Sequence, residues 1–348
     1  MKSFDKHYIE TLTIPHRLIM IIRQIGECRG KQDLFKKQAP EMLENLRHVA
    51  MIQSTESSNR LEGITADIKR IEELVEENTA PANRTEAEIA GYRDVLSTIH
   101  ANYKNIPFTD TVVLQLHRDM MKYSGKEGGR WKSTANEITE TLPDGSKKIR
   151  FVPVAPYMTP EYMRALHDRS NDLLKEQTLD PLIIIPLYVL DFLCIHPFLD
   201  GNGRIARLLS VLQLYHQGYE VGRYISLERV IEQTKESYYE TLYKSSQGWH
   251  EGKHDVLPWT EYFLSTLLAA YQEFENRFAR VSTGHGSKTD IVLSAIDSFI
   301  GDFTISEMEK ACPTVSRDMI RHVLFKQRDE GKLQPVGKGR YAKWRKLQ

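Results

Sequence analysis

A histidine, an aspartate, two arginines and a Gly-Asn-Gly triplet fall within twelve residues, His196-Pro-Phe-Leu-Asp-Gly-Asn-Gly-Arg-Ile-Ala-Arg207. Gly201 and Gly203 open backbone conformations closed to residues with a Cβ, so the amides around Asn202 can converge on one point. A turn of that kind leading into a helix presents N–H groups to an anion, most often a phosphate. The spacing Ile205, Leu208, Leu209, Leu212 predicts the helix, with Gly218 as its terminator. Arg204 and Arg207 are three apart on its first turn, near the positive end of the dipole. Guanidinium forks suit phosphate oxygens, and two of them suit more than one phosphate group. Asp200 is a hard oxygen donor beside that anion position, as a phosphate-bound Mg²⁺ requires. His196, whose ordinary pKa lies near neutrality, can take a proton from an incoming nucleophile.

These groups need rigid supports. Apolar runs at Leu182–Leu199 and Leu208–Tyr215 flank the segment and read as two buried helices, with the polar residues held at the turn between them. The first run contains Pro186, Asp191 and His196, so it reads as a core helix and not a membrane span. Far upstream, Ser58 and Glu62 are four apart and share a helix face; Leu43, Leu46, Val49 and Ala50 give the preceding stretch an apolar stripe, and Gly63 is placed to cap its end. Taken alone, that stretch reads as a surface helix with a solvated glutamate.

The residues at 196–207 resemble the motif of Fic proteins, His-Pro-Phe-x-(Asp/Glu)-Gly-Asn-Gly-Arg-x-x-Arg, with every fixed position matched. The resemblance implies transfer of AMP from ATP to a Ser, Thr or Tyr hydroxyl of a target protein, with pyrophosphate leaving. Carried onto this chain, it makes His196 the base and Asp200 the holder of Mg²⁺. Gly201, Asn202 and Gly203 would cradle the α- and β-phosphates, with Arg204 and Arg207 at the β/γ end. Doc toxins, which phosphorylate, are similar but carry Lys where this chain has Gly203, which favours AMP transfer. Beside that motif, Ser58, Glu62 and Gly63 resemble the family's inhibitory element, (Ser/Thr)-x-x-x-Glu-(Gly/Asn). The implied role of Glu62 is to pair with Arg207 and occupy the guanidinium that the γ-phosphate needs. In some relatives this glutamate also supports removal of AMP.

Around these motifs the pattern is mainly α. Residues 1–83 read as a charged helical region ending in the inhibitory helix and a helix near 65–78, and Ala80-Pro81-Ala82-Asn83 is a break. A core over 84–281 begins with a helix from Thr85 to about Tyr103 and another from Asp110 to Met121. Asn136–Thr141 and Lys147–Val152 alternate like strands around Pro143-Asp-Gly-Ser146, a hairpin. In the family a hairpin here, the flap, clamps the target; Gly129-Arg130-Trp131-Lys132 and Phe151, Val152, Pro153 stand at its borders. Tyr238, Tyr239 and Ser246 lie in a stretch resembling the family's nucleotide-contact helix, although tyrosines at that spacing also suit a core.

Residues 282–288 are a Gly/Ser-rich linker. Helical patterns follow at 289–300, 305–311 and 315–330, and Lys332–Trp344 reads as two strands around Gly337-Lys338-Gly339. That order resembles a winged helix-turn-helix domain over 289–348. From Thr314 to Gln348 ten Lys/Arg stand against three acids, a net of +7, which suits either a phosphate backbone or a protein-docking face. A second function class stays open: a DNA-binding transcriptional regulator using the nucleotide-binding core as a switch.

Lys+Arg and Asp+Glu are both 47, so no global field favours nucleic acid. Cys28, Cys194 and Cys312 are widely spaced without metal or redox pattern and point to a reducing compartment. With no secretory leader pattern and no membrane partner, a soluble cytoplasmic protein is expected. Family habit implies a homodimer.

Overall fold

The computed structural model describes residues 2–38, 40–76, 79–141, 144–282, 288–299, 302–312, 315–337 and 343–347. It is mainly helical. The amino-terminal part contributes α1 (Lys6–Thr11), α2 (His16–Gln38), α3 (Pro40–Leu61) and α4 (Ile68–Glu76). The central part opens with α5 (Arg84–Asn102), α6 (Asp110–Met121) and the strands β1 (Ile138–Thr141) and β2 (Lys147–Phe151). It continues through α7 (Thr159–Glu176), α8 (Pro181–Ile195), α9 (Asn202–His216), α10 (Leu227–Gln233), α11 (Lys235–Ser246) and α12 (Leu257–Ser282). The carboxy-terminal part is α13 (Lys288–Ser298), β3 (Phe303–Thr304), α14 (Ile305–Ala311), α15 (Arg317–Asp329), β4 (Leu333–Val336) and β5 (Lys343–Lys346).

The core is organised on α8. Asp180 caps its start, accepting from the Leu182 amide at 2.8 Å, and Pro181 occupies the first turn, where no amide bond is lost. Leu182–Ile185 and Leu187–Leu190 are all buried, so this helix is apolar on every side and sits inside a ring of others, among them α7, α9, α11 and α12. One polar residue within it, Asp191, is fully buried. It accepts from Ser3 Oγ at 2.5 Å and Trp249 Nε1 at 2.6 Å, and burial pushes its carboxyl up to about 6. The chain start and the loop after α11 are thereby tied to the helix that carries His196. No helix among the described residues is long and apolar enough to cross a membrane.

Sequence expectations and elements agree within a few residues. α5 starts at Arg84, where Asn83 Oδ1 accepts from the Glu86 amide, one residue before the expected start. In the hairpin, Ile138 pairs with Phe151 and Thr141 with Lys147, with an irregularity after Ile138. Leu142 and Pro143 of the expected turn lie outside the described residues, while Gly145 takes a left-handed φ of 82°. Most of the expected linker, 283–287, and Lys338-Gly339 also lie outside them. After α13 the order is strand, helix, helix, strand, strand, in an antiparallel sheet β3-β5-β4 over its own apolar cluster, including Val292, Phe303, Leu324 and Trp344. β3 is only two residues long, too short for alternation to reveal.

The turn between α8 and α9 is built residue by residue. α8 stops at His196, which adopts a left-handed conformation (φ 50°, ψ 62°), and Pro197 cannot continue the helix. Asn202 then closes the turn: its Oδ1 accepts from the Phe198 amide at 2.9 Å and its Nδ2 donates to the Phe198 carbonyl at 2.7 Å. From below, the Lys132 amide donates to Pro197 O at 2.8 Å and Lys132 Nζ to Ile195 O at 2.9 Å. Asn136 Nδ2 donates to the carbonyls of His196 at 3.2 Å and Phe198 at 2.9 Å. Four successive carbonyls are therefore held. His117 stacks on Phe198 (ring centroids 3.7 Å apart), accepts from the Gly129 amide on Nδ1 and donates from Nε2 to Asp200 O at 3.1 Å. Asn202→Ala deletes one donor and one acceptor and leaves the buried Phe198 amide without its partner. A loss of about 1–3 kcal/mol is expected in denaturant unfolding; an unchanged midpoint would contradict the clamp.

Candidate functional site

His196, Gly203 and Arg207 meet on one cavity of about 220 Å³. Its apolar wall is Leu190, Leu193, Cys194, Leu242, Tyr238, Tyr239 and Tyr243; Ile138, Arg150 and Phe151 of the hairpin close it, and Glu62 and Ser246 complete the lining. His196 Nδ1 lies 3.3 Å from the Leu193 carbonyl, which can only accept, so the proton sits on Nδ1 and the Nε2 lone pair is free. Burial, with Lys132 adding to it, pulls the imidazole down to about 4. The ring is neutral at pH 7 and available as a base. The nearby Lys132 ammonium is itself lowered to about 8 by burial.

Arg207, one turn into α9, is held by the amino-terminal helix. Its Nε donates to Ser58 Oγ and its Nη2 to Ser58 O and Glu62 Oε1, each at 2.8 Å. Burial acts to lower the guanidinium pKa, but Glu62 together with Tyr238 and Tyr92 outweighs it and the group stays charged. Arg207 Nη1 is buried and has no hydrogen-bond partner among the described residues. Gly63, at φ 77°, ends α3, and the Ile64 amide returns to Asn59 O, so Glu62 stands at the last turn pointing at α9. A Cβ on Gly203 would collide with Glu62 Oε1. The carboxylate therefore lies against the first turn of α9, where no side chain caps the helix. It occupies the position a helix start offers to an external anion. Any side chain at 203 excludes this placement, a reason for glycine separate from phosphate approach.

Asp200 is half-exposed and faces cations on both oxygens: Lys126 Nζ on Oδ2 and Arg204 Nη2 at 3.5 Å from Oδ1. Burial alone would raise its carboxyl, and these cations hold it below its ordinary range. Arg204, expected at the β/γ-phosphates, is almost wholly buried, and its Nη1 lies 2.9 Å from Glu88 Oε2. On the first helical turn it points back into the α5 side of the core and braces the loop from behind. Asn202 likewise spends its side chain on Phe198, so whatever this turn offers an anion comes from its backbone.

Tyr238, Tyr239 and Ser246 all line the cavity, and two of them have their polar atoms engaged nearby: Tyr239 OH donates to Leu61 O at 3.2 Å and Ser246 Oγ to Tyr243 O at 2.9 Å. At the hairpin the expected group divides. Phe151 lines the cavity and stacks on His250, whereas Val152 is exposed and Pro153 buried, neither of them in the lining. Alternation turns Val152 outward, and its carbonyl accepts from His250 Nε2 at 2.8 Å. Arg150, at the same flap border, lies 4.4 Å above the Tyr243 ring and 3.2 Å from Glu140, pinning the hairpin over α11. Sequence reading missed Lys126, Glu88, His117 and Asn136; each is a single polar residue that only tertiary contact brings to the loop.

Residues 107–214 match the Fic/DOC family model. The chain is 27% identical over 209 residues to the protein adenylyltransferase Fic of Nematostella vectensis, covering 57% of this chain and 44% of that protein. To protein adenylyltransferase fic-1 of Caenorhabditis elegans it is 27% identical over 163 residues, 47% of this chain and 28% of that one. It thus spans less than half the length of these curated relatives. Among solved structures, a Fic family protein from Desulfovibrio desulfuricans superposes with a TM-score of 0.62 at 19% identity, over 97% of both chains. Fic-1 of C. elegans gives 0.61 at 21% identity, over 76% of this chain and 74% of that one. The family match spans the whole His196–Arg207 loop, so residues 107–214 are similar to the Fic/DOC family, and the chain shares the fold of the solved Fic structures.

Proposed function

We propose that the protein is an adenylyltransferase that moves AMP from ATP onto a hydroxyl of a target protein and is restrained by its own α3. The observation that carries this reading is the shared cavity, with a free imidazole nitrogen, an uncapped helix start and a buried arginine around an apolar chamber of base size. In the proposed reaction the target oxygen attacks the α-phosphorus while His196 Nε2 accepts its proton. The bond from the α-phosphorus to the α,β-bridging oxygen breaks, and pyrophosphate leaves. The amides of 201–203 would bind the phosphates, and Arg207 Nη1, a buried donor without a partner among the described residues, suits the γ-phosphate. Tyr238 and Tyr239 would wall the base.

Asp200 fits a divalent cation: it is the one aspartate of the loop, half-exposed and ionised, and no cluster of three or more ligating side chains exists among the described residues. One carboxylate plus substrate phosphates is the usual Mg²⁺ arrangement. When bound, the ion would neutralise phosphate charge. The hairpin would receive an extended target segment on its open strand edges, with exposed Ile149 and Val152 beside them. Three free, buried thiols suit a cytoplasmic setting. The natural units are 1–83, 84–281 and 289–348. A homodimer and a role of Glu62 in AMP removal belong to the same reading.

Incubation with labelled ATP and Mg²⁺ tests it. Glu62→Gly should incorporate at least about tenfold more label than wild type, since freeing one guanidinium contact is worth about 1.4 kcal/mol or more. Adding His196→Ala should abolish the signal. Equal labelling of wild type and Glu62→Gly, or labelling that survives loss of His196, would sink the proposal.

The depressed imidazole sets a pH dependence. Because the folded pKa is lowered to about 4, the base form persists well below neutrality. In Glu62→Gly, which also removes a carboxylate that raises this pKa, the acid limb of kcat/KM should fall below pH 5. A limb near 6.5 would contradict the burial of His196.

A second reading, DNA binding, is favoured by the exposed Arg321, His322 and Lys326 on α15 within the strand-helix-helix-strand-strand order. Salt-dependent binding to duplex DNA that disappears on truncation at residue 282 would support it; duplex binding that is undetectable at low salt would remove it.

A further inference from the structure

Lys126 lies between α6 and β1, set there by a turn in which its amide donates to Ser124 Oγ at 3.3 Å and Ser124 Oγ donates to Met121 O at 2.8 Å. Its Nζ contacts Asp200 Oδ2 and lies 3.3 Å from Glu88 Oε1. Glu88 is buried on α5 and is also 2.9 Å from Arg204 Nη1, whose Nη2 faces Asp200 Oδ1. Two carboxylates and two cations thus form a closed ring around the loop aspartate, with the exposed Arg84 Nε a third cation at 3.5 Å from Glu88 Oε1. The members differ in freedom. Arg204 is buried at 1% side-chain exposure and cannot leave, whereas Lys126 is at 29% on a flexible four-carbon stem.

A cation arriving at Asp200 meets a carboxylate that already has a counter-ion. Two positive charges on one carboxylate repel each other at short range, so the mobile one must yield. A displaced ammonium stays tethered within a few ångströms of the loop that receives the nucleotide phosphates, the strongest negative charge to reach this site. We propose that Lys126 is the resident cation of Asp200: it competes with a bare divalent ion for that carboxylate and turns to the phosphates when ion and nucleotide arrive together. The proposal rests on Asp200 as the metal-holding residue. It gives the chain a second self-supplied contact at its active site, at the opposite end from Glu62, and it selects metal–nucleotide over metal alone.

Mn²⁺ is the probe, its free concentration read by electron paramagnetic resonance, with and without α,β-methylene-ATP, which cannot be cleaved at the α,β position. Lys126→Gln should bind Mn²⁺ alone several-fold more tightly than wild type and the Mn²⁺–nucleotide complex several-fold more weakly. Lys126→Arg should restore both values toward wild type. Lys126 is on the surface side of the ring, and an unchanged unfolding midpoint verifies that the variants are folded. Unchanged Mn²⁺ affinity in Lys126→Gln, or shifts of both affinities in the same direction, would overturn the proposal. Asp200→Asn separates it from its premise. If Asp200→Asn loses Mn²⁺ and Lys126→Gln changes nothing, only the role of Lys126 fails. If Asp200→Asn binds Mn²⁺ as wild type does, the metal assignment fails and the Lys126 proposal with it.

Discussion

Everything at this site turns on the guanidinium of Arg207, held at 2.8 Å by both Ser58 oxygens and by Glu62. A buried guanidinium cannot shed its charge, so it must have an anion or strong acceptors at all times. In the free chain α3 supplies them. The same helix start and the same guanidinium are what a triphosphate would need, and two anions cannot occupy one position. The proposed restraint would need no moving domain. On the proposed reading it would be a competition for one cation, and the Gly203 backbone, lacking a Cβ, lets the carboxylate come this close.

The rest of the molecule holds the loop in place. Four carbonyls from Ile195 to Phe198 are fixed by Lys132 and Asn136, Asn202 seals the turn, and His117 presses on Phe198. His196 is kept in a left-handed conformation that a histidine seldom adopts, with its Nδ1 proton turned to Leu193. Such conformations persist where surrounding contacts over-determine them. Behind the loop, α8 contributes an apolar cylinder with one buried carboxylate, Asp191, anchoring the chain start and Trp249.

Much of this was legible from residue types and spacing. α6 was read at its observed bounds, and the helices around 196–207 follow from uninterrupted apolar runs, because burial on all sides leaves no other pattern. Ser58 and Glu62 could be linked to Arg207 only through a family resemblance, since 145 positions separate the carboxylate from the guanidinium. Arg204 turns to Glu88, and Asn202 turns to Phe198, because helix periodicity says which residues neighbour one another and not which buried partner awaits them. Lys126, Glu88 and His117 carry no local pattern at all: each is a solitary polar residue whose meaning lies in the element packed against it.

The central claim is that Glu62 and a γ-phosphate compete for Arg207. Calorimetric titration of ATP and ADP into wild type and Glu62→Gly tests it most directly. Wild type should bind the two nucleotides with similar affinity, its γ-phosphate partner being occupied. Glu62→Gly should prefer ATP by about tenfold or more, the value of one charge-assisted contact regained. An identical ATP-to-ADP preference in both proteins would show that the guanidinium is not what they contest.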